Sequence, residues 1–423
     1  MSAWTRISIG ELGSVVTGRT PPSAQKHFFD GSIPFLTPTD LDWESRFVVP
    51  DRFVSTDWNE QQKRISLPPN AICVVCIGAT IGKVCMAAAV SQSNQQINSI
   101  VVDPKRFDAH FVYYRMRVMR EQLKSRAAGA ATPILNKSAF SAISIDVPPL
   151  PIQRRIASVL GAYDDLSEVN RRRIALLEKM ARGLFEEWFV RFRFPGHEDC
   201  EVVQTPEGPM PEGWRRVALG ELCSDTRDAV SPADIESDTP YVGLEHIPRR
   251  STTLNEWGRA DEVTSTKLRF RAGDILFGKI RPYFHKVVFA PFEGVCSSDA
   301  IVIRSYAPEF TGIVLAVTSS DNFVAHAVAT SNGTKMPRAN WNVLARSSVP
   351  LPPDDLMRRF NDAVVTWAKL AATLIASNTR LAASRDLQLS RLISGEVSVS
   401  AAEHPPPNGS ARAPEVALWR YHH

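Results

Sequence analysis

A chain of 423 residues with 44% hydrophobic side chains can bury two or three ordinary cores, which excludes a chain that is disordered throughout. Its formal net charge of only +4 is compatible with a nucleic-acid partner but does not require one. Six cysteines without an N-terminal signal pattern predict a reducing, cytoplasmic location. The apolar stretch 71–90 is predicted to form two buried strands and no membrane span.

The first half of the chain recurs in the second half. The motif that begins at Trp4 returns at Trp214, an offset of 214 − 4 = 210 residues, and the same offset relates Gly10-Glu11-Leu12 to Gly220-Glu221-Leu222. Each half then ends in a proline cluster that is followed by a long helical pattern. We therefore predict an internal repeat of a globular unit and a long helix.

The first half contains a globular domain and then a long helix. Residues 1–150 are predicted to form a mixed α+β domain, because short β-rich runs alternate with Gly, Pro and Asn turns. Residues 151–193 follow as one helix between proline-rich breaks, with apolar residues at alternating gaps of four and three. Its balanced charges, including Asp164 and Asp165, predict a solvated outer face. The predicted coiled-coil seam includes Ile156, Val159, Tyr163, Leu166, Asn170, Leu177, Met180 and Leu184.

The second half follows the same plan after a connector. Residues 194–213 are acidic and rich in Pro and Gly, and are predicted to be a linker. Residues 214–352 are predicted to form the second α+β domain, 353–398 the second long helix, and 399–423 a disordered tail. The seam of the second helix is predicted to contain Phe360, Trp367, Leu374, Asn378 and Leu381.

Asn170 and Asn378 fall at matching places on the two seams. A polar residue at such a position lowers stability but can fix the register and the partner of a helix. The alternative is that each asparagine lies at the edge of its apolar stripe.

Few residues suggest catalysis or metal binding. Cys73 and Cys76 have the spacing of a zinc or redox pair, but they lie in an apolar β-run without a second pair, which favours core cysteines. The segment from Gly78 to Lys83 has neither the length nor the hydroxyl residue of a phosphate-binding loop. We therefore predict no catalytic residues and no metal site.

Polar and basic residues lie on the predicted loops of both domains. Arg and Lys can bond guanine edges or phosphates, and Asn and Gln can pair with adenine, so these loops suit DNA; ordinary solvated loops are the alternative. The candidates in the first domain are Arg19, Thr20, Thr37, Thr39, Thr80, Lys83, Asn94, Gln95, Gln96 and Lys137. The candidates in the second domain are Glu245, His246, Lys279, Arg281, Tyr283, His285, Lys286, Lys335, Arg338 and Asn340.

Several motifs, in their order along the chain, carry a resemblance to a known family. They are Trp4 with Gly10-Glu11-Leu12, Thr37-Pro38-Thr39-Asp40-Leu41, Pro148-Pro149-Leu150-Pro151-Ile152-Gln153, Asp164-Asp165, Leu184-Phe185 and Leu392-Ile393-Ser394-Gly395-Glu396. With these motifs the chain resembles the specificity subunit of type I restriction-modification systems. In the second half, Asp354-Asp355 and Gly243-Leu244-Glu245 depart from the first-half pattern.

The resemblance implies two globular α/β target recognition domains, separated by two long helices packed as an antiparallel coiled coil, with a pseudo-twofold internal repeat. It implies a subunit that binds an asymmetric bipartite site on double-stranded DNA and positions type I modification (methyltransferase) and restriction subunits. This chain would bind no cofactor, and S-adenosylmethionine, ATP and Mg would belong to the partner subunits. The alternatives are an orphan or methylation-only specificity subunit without a nuclease, and a coiled-coil scaffold protein that does not bind DNA.

Overall fold

The computed structural model describes residues 4–127, 133–333 and 335–397. The chain divides into two compact units, Met1–Ser167 with Arg380–His423 as the first unit, and Glu168–Thr379 as the second. Each unit holds one globular domain and part of each long helix, and the fold class is the predicted α+β. The tail predicted for residues 399–423 lies outside the described residues.

The domain of the first unit consists of short strands and short helices. The strands are β1 (Thr5–Ser8), β2 (Gly13–Thr17), β3 (Ile33–Leu36), β4 (Phe53–Val54), β5 (Ile72–Val75), β6 (Val84–Met86), β7 (Gln92–Ser93), β8 (Ile97–Val102) and β9 (Ser144–Val147). The helices are α1 (Thr56–Gln61), α2 (Ala109–Val118), α3 (Arg120–Arg126) and α4 (Lys137–Ser141). The sheets are β1-β9, β2-β8-β5-β6 and β4-β3-β7, and only the β3–β7 pair among them is parallel.

Helix α2 fixes the core of this domain. The carboxylate of Asp108 accepts a hydrogen bond from the Phe111 N–H at 3.0 Å, which caps the helix start. Phe111, Tyr113 and Tyr114 are fully buried in one cluster with residues of the four-stranded sheet. Each aromatic ring buried in this way contributes about 1.5–3 kcal/mol, so α2 cannot leave the sheet without losing most of the domain core.

The first long helix, α5 (Leu150–Phe185), begins after the break at Pro148 and Pro149. Its first turn contains Pro151, where the missing N–H removes no intrahelical hydrogen bond. After Phe185 the chain continues as a π-helical turn, Glu186–Val190. The helix that was predicted for 151–193 is therefore α-helical from Leu150 to Phe185. The residues directly after Phe185 form the wider π-helical turn instead.

The domain of the second unit repeats this plan with an added hairpin. Its strands are β10 (Val202–Thr205), β11 (Gly208–Pro211), β12 (Arg215–Ala218), β13 (Cys223–Asp225), β14 (Ala229–Val230), β15 (Pro240–Val242), β16 (Gly258–Arg259), β17 (Lys267–Phe270), β18 (Ile275–Gly278), β19 (Val287–Phe289), β20 (Gly294–Cys296), β21 (Ala300–Ser305) and β22 (Ser348–Leu351). Its short helices are α6 (Thr311–Thr318), α7 (Asp321–Ala329) and α8 (Trp341–Leu344). The sheets are β10-β11, β12-β22, β13-β21-β18-β19 and β14-β17-β20-β15-β16.

The hairpin β10-β11 lies in the segment 194–213 that is predicted from the sequence to be a linker. Its strands pair antiparallel from Val202 opposite Pro211 to Thr205 opposite Gly208. Met210 is buried in the same cluster as Trp214 at the start of the domain. Much of the 194–213 segment is thus folded onto the second domain.

The second long helix, α9 (Asp354–Ile393), starts directly after Pro352 and Pro353 and carries two acidic residues in its first turn, which suits the helix dipole. It ends before Gly395, whose φ of +77° lies in the left-handed region that favours glycine. A Cβ at Gly395 would lie 3.3 Å from Trp4 Nε1, so the indole ring covers this end of the helix.

The internal repeat is visible in the strand pairing. Strand β1 pairs with β9 and β12 with β22, both antiparallel over four residues. A glutamate closes the turn that follows each first strand: the Ser8 N–H donates to Glu11 Oε2 at 2.7 Å, and the Ala218 N–H to Glu221 Oε1 at 2.8 Å. The four-stranded sheets have matching orders, β2-β8-β5-β6 and β13-β21-β18-β19.

The two long helices run antiparallel within each unit. In the first unit, Ile156 and Leu160 of α5 share a core cluster with Leu392 of α9. In the second unit, the ring centroids of Phe185 and Phe360 are 6.4 Å apart. The start of α5 therefore packs near the end of α9, and the end of α5 packs near the start of α9.

The seam of α5 differs from the predicted pattern at every second position. Val159, Leu166 and Met180 are 39%, 46% and 42% exposed. Leu160 and Ser167 are buried instead, and they directly follow Val159 and Leu166 in the sequence. The remaining predicted seam residues are placed as follows: Ile156, Asn170 and Phe360 are buried, and Tyr163, Leu177, Leu184, Trp367, Leu374, Asn378 and Leu381 are half-buried.

Asn170 and Asn378 meet inside the second unit. The Asn170 Nδ2 donates a hydrogen bond to Asn378 Oδ1 at 2.8 Å, and Asn170 is only 3% exposed. The pair lies within the helix contact and not at its edge, which agrees with the reading that it fixes helix register.

Among the described residues, no single helix has both the length and the apolar character to cross a membrane. One bent pair, Pro308–Thr318 with Asp321–Ala329, reaches that threshold by length and composition alone.

Candidate nucleic-acid interface

In the first domain, the segment after β2 and the turn after β7 lie together. The Arg19 N–H donates to the Ser93 carbonyl at 2.8 Å, and Thr20 Oγ1 donates to Gln95 Oε1 at 2.7 Å. A Cβ at Gly18 would lie 2.2 Å from the Ser93 carbonyl oxygen, so this close approach requires glycine. The side chains of Arg19 and Gln95 are both exposed, and by chemistry arginine can read guanine and glutamine can read adenine.

Asn94 does not share this exposure. It is 7% exposed, and its Nδ2 donates to Gln96 Oε1 at 2.9 Å while its Oδ1 accepts from the Gln96 N–H at 3.1 Å. The Asn94 N–H also donates to the Leu36 carbonyl at 3.0 Å, which ties the turn to the end of β3. The structure therefore places Asn94 inside the turn as a support, and the prediction that it contacts DNA is corrected by its burial.

Asp40 organises the loop after β3, although it is not among the residues predicted to contact DNA. Its Oδ2 accepts from the Thr37 N–H at 2.7 Å and from Thr37 Oγ1 at 2.6 Å. Thr37 is 3% exposed, so it too supports the loop and does not face a ligand. Thr39 is exposed, and its hydroxyl lies 2.9 Å from that of Thr37.

Asn136 and Asn340 occupy equivalent places as helix caps. The Asn136 Oδ1 accepts from the Ala139 N–H at 2.9 Å at the start of α4, and the Asn340 Oδ1 accepts from the Asn342 N–H at 3.0 Å at the start of α8. The amide oxygen of Asn340 thus accepts from the main chain of α8, which argues against the pairing with adenine that was predicted for Asn340. Lys137, beside the first cap, is exposed.

In the second domain, His246 is held by its own loop. Its Nδ1 accepts a hydrogen bond from the Gly243 N–H at 3.0 Å, and its ring lies edge-on to Tyr241 at 5.8 Å between centroids. Glu245 is exposed beside it. A carboxylate at this place can accept a hydrogen bond from the amino group of cytosine.

A basic surface forms where the turn after β18 meets residues 335–339. The Arg281 N–H donates to the Pro337 carbonyl at 2.8 Å, and the Ala339 N–H to the Lys279 carbonyl at 2.8 Å. The exposed side chains here are Arg281, Tyr283, Lys335 and Arg338, and Tyr283 is 52% exposed. Lys279 is half-buried and donates to the Ser298 carbonyl.

His285 lies on the inner side of this turn. It is 8% exposed, with its Nε2 2.8 Å from the Ser319 carbonyl and its Nδ1 3.4 Å from Asp321 Oδ1. Burial lowers the pKa of this imidazole, opposed by the Ser319 carbonyl and the Asp321 carboxylate. The prediction that His285 contacts DNA is corrected, because its ring joins the turn to the start of α7.

The remaining candidates are Thr20, Thr80, Lys83, Gln96 and Lys286, and all are half-buried. Lys83 and Lys286 donate to main-chain carbonyls of their own domains. The exposed candidates are Arg19, Thr39, Gln95 and Lys137 in the first domain, and Glu245, Arg281, Tyr283, Lys335 and Arg338 in the second. That these exposed side chains contact DNA stays a prediction.

The first unit contains a buried charge network that was not predicted from the sequence. The Arg385 guanidinium donates to Asp164 Oδ1 at 2.7 Å and to Glu44 Oε2 at 2.8 Å, and the Tyr114 hydroxyl donates to Asp164 Oδ2 at 2.6 Å. Asp164 is 6% exposed, so the solvated face predicted for the helix charges is wrong at this residue. Burial alone would lower the pKa of Arg385, but the bonds to Asp386 and Asp164 raise it.

Cys73 and Cys76 lie on opposite faces of their sheet, since they pack into different core clusters. They cannot ligate one ion together. Burial raises the pKa of the Cys76 thiol to about 12. Within the described residues, no group of three or more His, Cys, Asp or Glu side chains is placed to hold a metal.

The chain is similar to specificity subunits of type I restriction enzymes. A family model described as "Type I restriction modification DNA specificity domain" matches residues 1–179. The MjaIX specificity subunit of a type I restriction enzyme from Methanocaldococcus jannaschii is 24% identical over 410 residues, which is 94% of each chain. The EcoDI specificity subunit from Escherichia coli is 24% identical over 439 residues, 94% of this chain and 93% of that one.

A solved structure shares the fold. The S subunit of a type I restriction-modification system from M. genitalium superposes with a TM-score of 0.55 at 14% identity, covering 92% of this chain and 96% of the other.

Proposed function

The chain belongs to the family of type I restriction-modification DNA specificity proteins, and from this premise we propose that it is the sequence-recognition subunit of a type I restriction-modification complex. One observation carries the proposal: the two domains share strand order and turn closure, yet expose different side chains on equivalent loops. Two modules of one fold with different loops read two different half-sites. The DNA site is therefore bipartite and asymmetric.

The exposed candidates divide by chemistry. Arg19, Gln95 and Arg281 suit base edges in the major groove, whereas Lys137 and Lys335 suit phosphates as point charges. The chain performs recognition and leaves chemistry to its partners. S-adenosylmethionine belongs to the modification subunits, and ATP and Mg belong to the restriction subunits.

The outer face of α5 supports docking of a modification subunit. In the second unit, Val169, Leu176 and Met180 are 41%, 57% and 42% exposed, at helical spacings of seven and four residues. In the first unit, Val159 and Leu166 are exposed at the same spacing of seven. Such an apolar stripe fits an amphipathic helix of a partner. A coiled-coil scaffold that does not bind DNA is not favoured, since it would not account for the family membership.

The test is to map methylated adenines across the genome of the source cell with and without this gene. The expected result is one bipartite motif, with two different halves and a fixed gap, that loses methylation when the gene is deleted. The chain purified with its modification subunits should bind a duplex carrying that motif in preference to a shuffled duplex. An unchanged methylation pattern together with no duplex preference would refute the proposal.

A further inference from the structure

Two lysines occupy equivalent places in the two domains. Lys83 directly precedes β6, and Lys286 directly precedes β19. The Lys83 Nζ donates to the Leu41 carbonyl at 2.5 Å, and the Lys286 Nζ donates to the Leu244 carbonyl. In both cases the acceptor lies 42 residues upstream. The same contact is thus built twice, on loops whose sequences differ.

The main chain of each lysine is fixed on the sheet. The Lys83 carbonyl accepts from the Val75 N–H at 2.9 Å, and the Lys286 carbonyl accepts from the Gly278 N–H at 2.9 Å. A side chain that starts from a fixed strand and ends on a loop carbonyl holds that loop at a set distance from the sheet. Both lysines are half-buried.

The surroundings of each lysine also favour an internal role. The Lys83 Nζ lies 5.6 Å from the centroid of the Trp43 ring, which covers it from one side. Burial and the nearby Arg249 charge lower the pKa of Lys286, while Glu245 opposes that shift. An ammonium group in such a partly dehydrated place loses more by breaking its carbonyl bond than an exposed one would.

The loops that these lysines hold carry the candidate base contacts. Leu41 ends the loop that displays Thr39, and Leu244 is adjacent to Glu245. A shift of either loop would move exposed side chains away from the base edges, whose hydrogen bonds require donor–acceptor distances of about 2.7–3.2 Å. Loss of the lysine contact would therefore weaken discrimination between bases more than general attraction to DNA.

We infer that Lys83 and Lys286 are positioning residues that set base discrimination by holding the loops ending at Leu41 and Leu244, and that they do not contact phosphate. This inference rests on the proposed function. It replaces the sequence-based expectation that both lysines touch DNA. Each lysine acts on the half-site read by its own domain, so the two effects are separable.

The test compares Lys83→Met and Lys286→Met in the full chain with its modification subunits. Methionine keeps the unbranched stem but removes the donor and the charge. The ratio of cognate to single-mismatch binding should fall about tenfold at the half-site of the altered domain alone. The slope of log affinity against log salt should be unchanged, since no phosphate contact is lost. Matched controls are Lys137→Met and Lys335→Met, at exposed lysines, which should reduce that slope by about 0.9 with discrimination intact.

Two outcomes would overturn the inference. A salt slope reduced by about 0.9 in Lys83→Met, with discrimination intact, would assign this lysine to phosphate. Equal loss of discrimination at both half-sites would point to general unfolding, which the thermal unfolding midpoint of each variant would reveal. Failure of the proposed function would differ from both, because the unaltered chain would then show no preference for any bipartite duplex.

Discussion

At the scale of single residues, buried charges hold the first domain on the long helices. Arg385 is 3% exposed and bonds Asp164 of α5 and Glu44 of the loop after β3, while Tyr114 of α2 bonds the other oxygen of Asp164. One arginine thereby joins two helices, a loop and the domain core. Removing one partner of such a pair leaves the other charge buried without compensation, which typically costs about 3–5 kcal/mol.

Arg385→Met is therefore expected to lower the free energy of unfolding by about 3 kcal/mol, because Asp164 loses its cation. Tyr114→Phe removes one hydrogen bond to the same carboxylate and should cost about 1–3 kcal/mol. Urea unfolding of the full chain, followed by circular dichroism, measures both. The control is Arg380→Met, at an exposed arginine of the same helix, which should stay within about 0.5 kcal/mol. Equal losses for Arg385→Met and Arg380→Met would contradict a role for the network.

The elements that carry these residues are predictable from the sequence, but the directions of their side chains are not. Asp164 and Asp165 are adjacent, yet neighbours on a helix point about 100° apart, so one is buried and the other exposed. The cation that pairs with Asp164 is 221 residues away along the chain. The same limit applies to Asn94, which is buried, and Gln95, which is exposed. Which of two neighbouring turn residues is buried depends on the hydrogen bonds of the turn and not on residue type.

At the scale of elements, a single carboxylate fixes a loop of the second unit to α5. The Glu178 Oε1 accepts from Ser251 Oγ at 2.6 Å, from the Thr252 N–H at 2.9 Å and from the Thr253 N–H at 3.0 Å. This loop follows the segment held by Lys286. Charge-assisted hydrogen bonds to main-chain N–H groups are among the stronger ones, so the carboxylate should govern how often the loop opens.

Glu178→Ala is expected to speed amide hydrogen exchange at Thr252 by about tenfold or more, because its N–H loses its acceptor, and to speed exchange less at Thr253, whose N–H also donates to Ser251 Oγ at 3.3 Å. Exchange measured by NMR or by mass spectrometry of a short peptide covering 249–254 reports the change. Glu168→Ala removes a half-buried carboxylate of the same helix that pairs with Arg171 and Arg172, and should leave this peptide unaffected. Unchanged exchange at 252 and 253 would show that the loop is held by other contacts.

The elements themselves were predictable to different degrees. Both long helices follow from proline breaks and from a helical period sustained over ten turns or so, which local sequence alone specifies. The predicted seam is wrong at Val159, Leu166 and Met180, which are exposed, because α5 carries apolar residues on two faces. Which of these faces is buried depends on packing against α9. The hairpin β10-β11 was not predicted, since each strand has only four residues and β11 contains two prolines. Its stability comes from packing with Trp214, which lies outside it.

At the scale of the whole molecule, each long helix supplies residues to both units, so both helices connect the two domains. The Asn170–Asn378 bond fixes which residues face each other: because 170 + 378 = 548, Leu177 faces Ala371. Lengthening one helix alone would destroy this register. Lengthening both at facing positions would preserve it and add only distance.

Inserting seven residues after Leu176 in α5 and seven after Ala371 in α9 should therefore change the gap between half-sites and nothing else. Seven residues keep a seam of 3.5-residue period in phase, and at 1.5 Å per residue they add about 10 Å. With base pairs spaced by about 3.4 Å, the gap should grow by about three base pairs while the bases of each half-site stay the same. Mapping methylated adenines in cells that carry the lengthened chain measures both quantities. A matched pair of four-residue insertions adds about 6 Å and turns the helix by about 400°, which is about 40° more than one full turn, so it should lengthen or rotate the spacing while the bases of each half-site stay the same. Altered half-site bases with an unaltered gap would refute the idea that helix length sets the spacing.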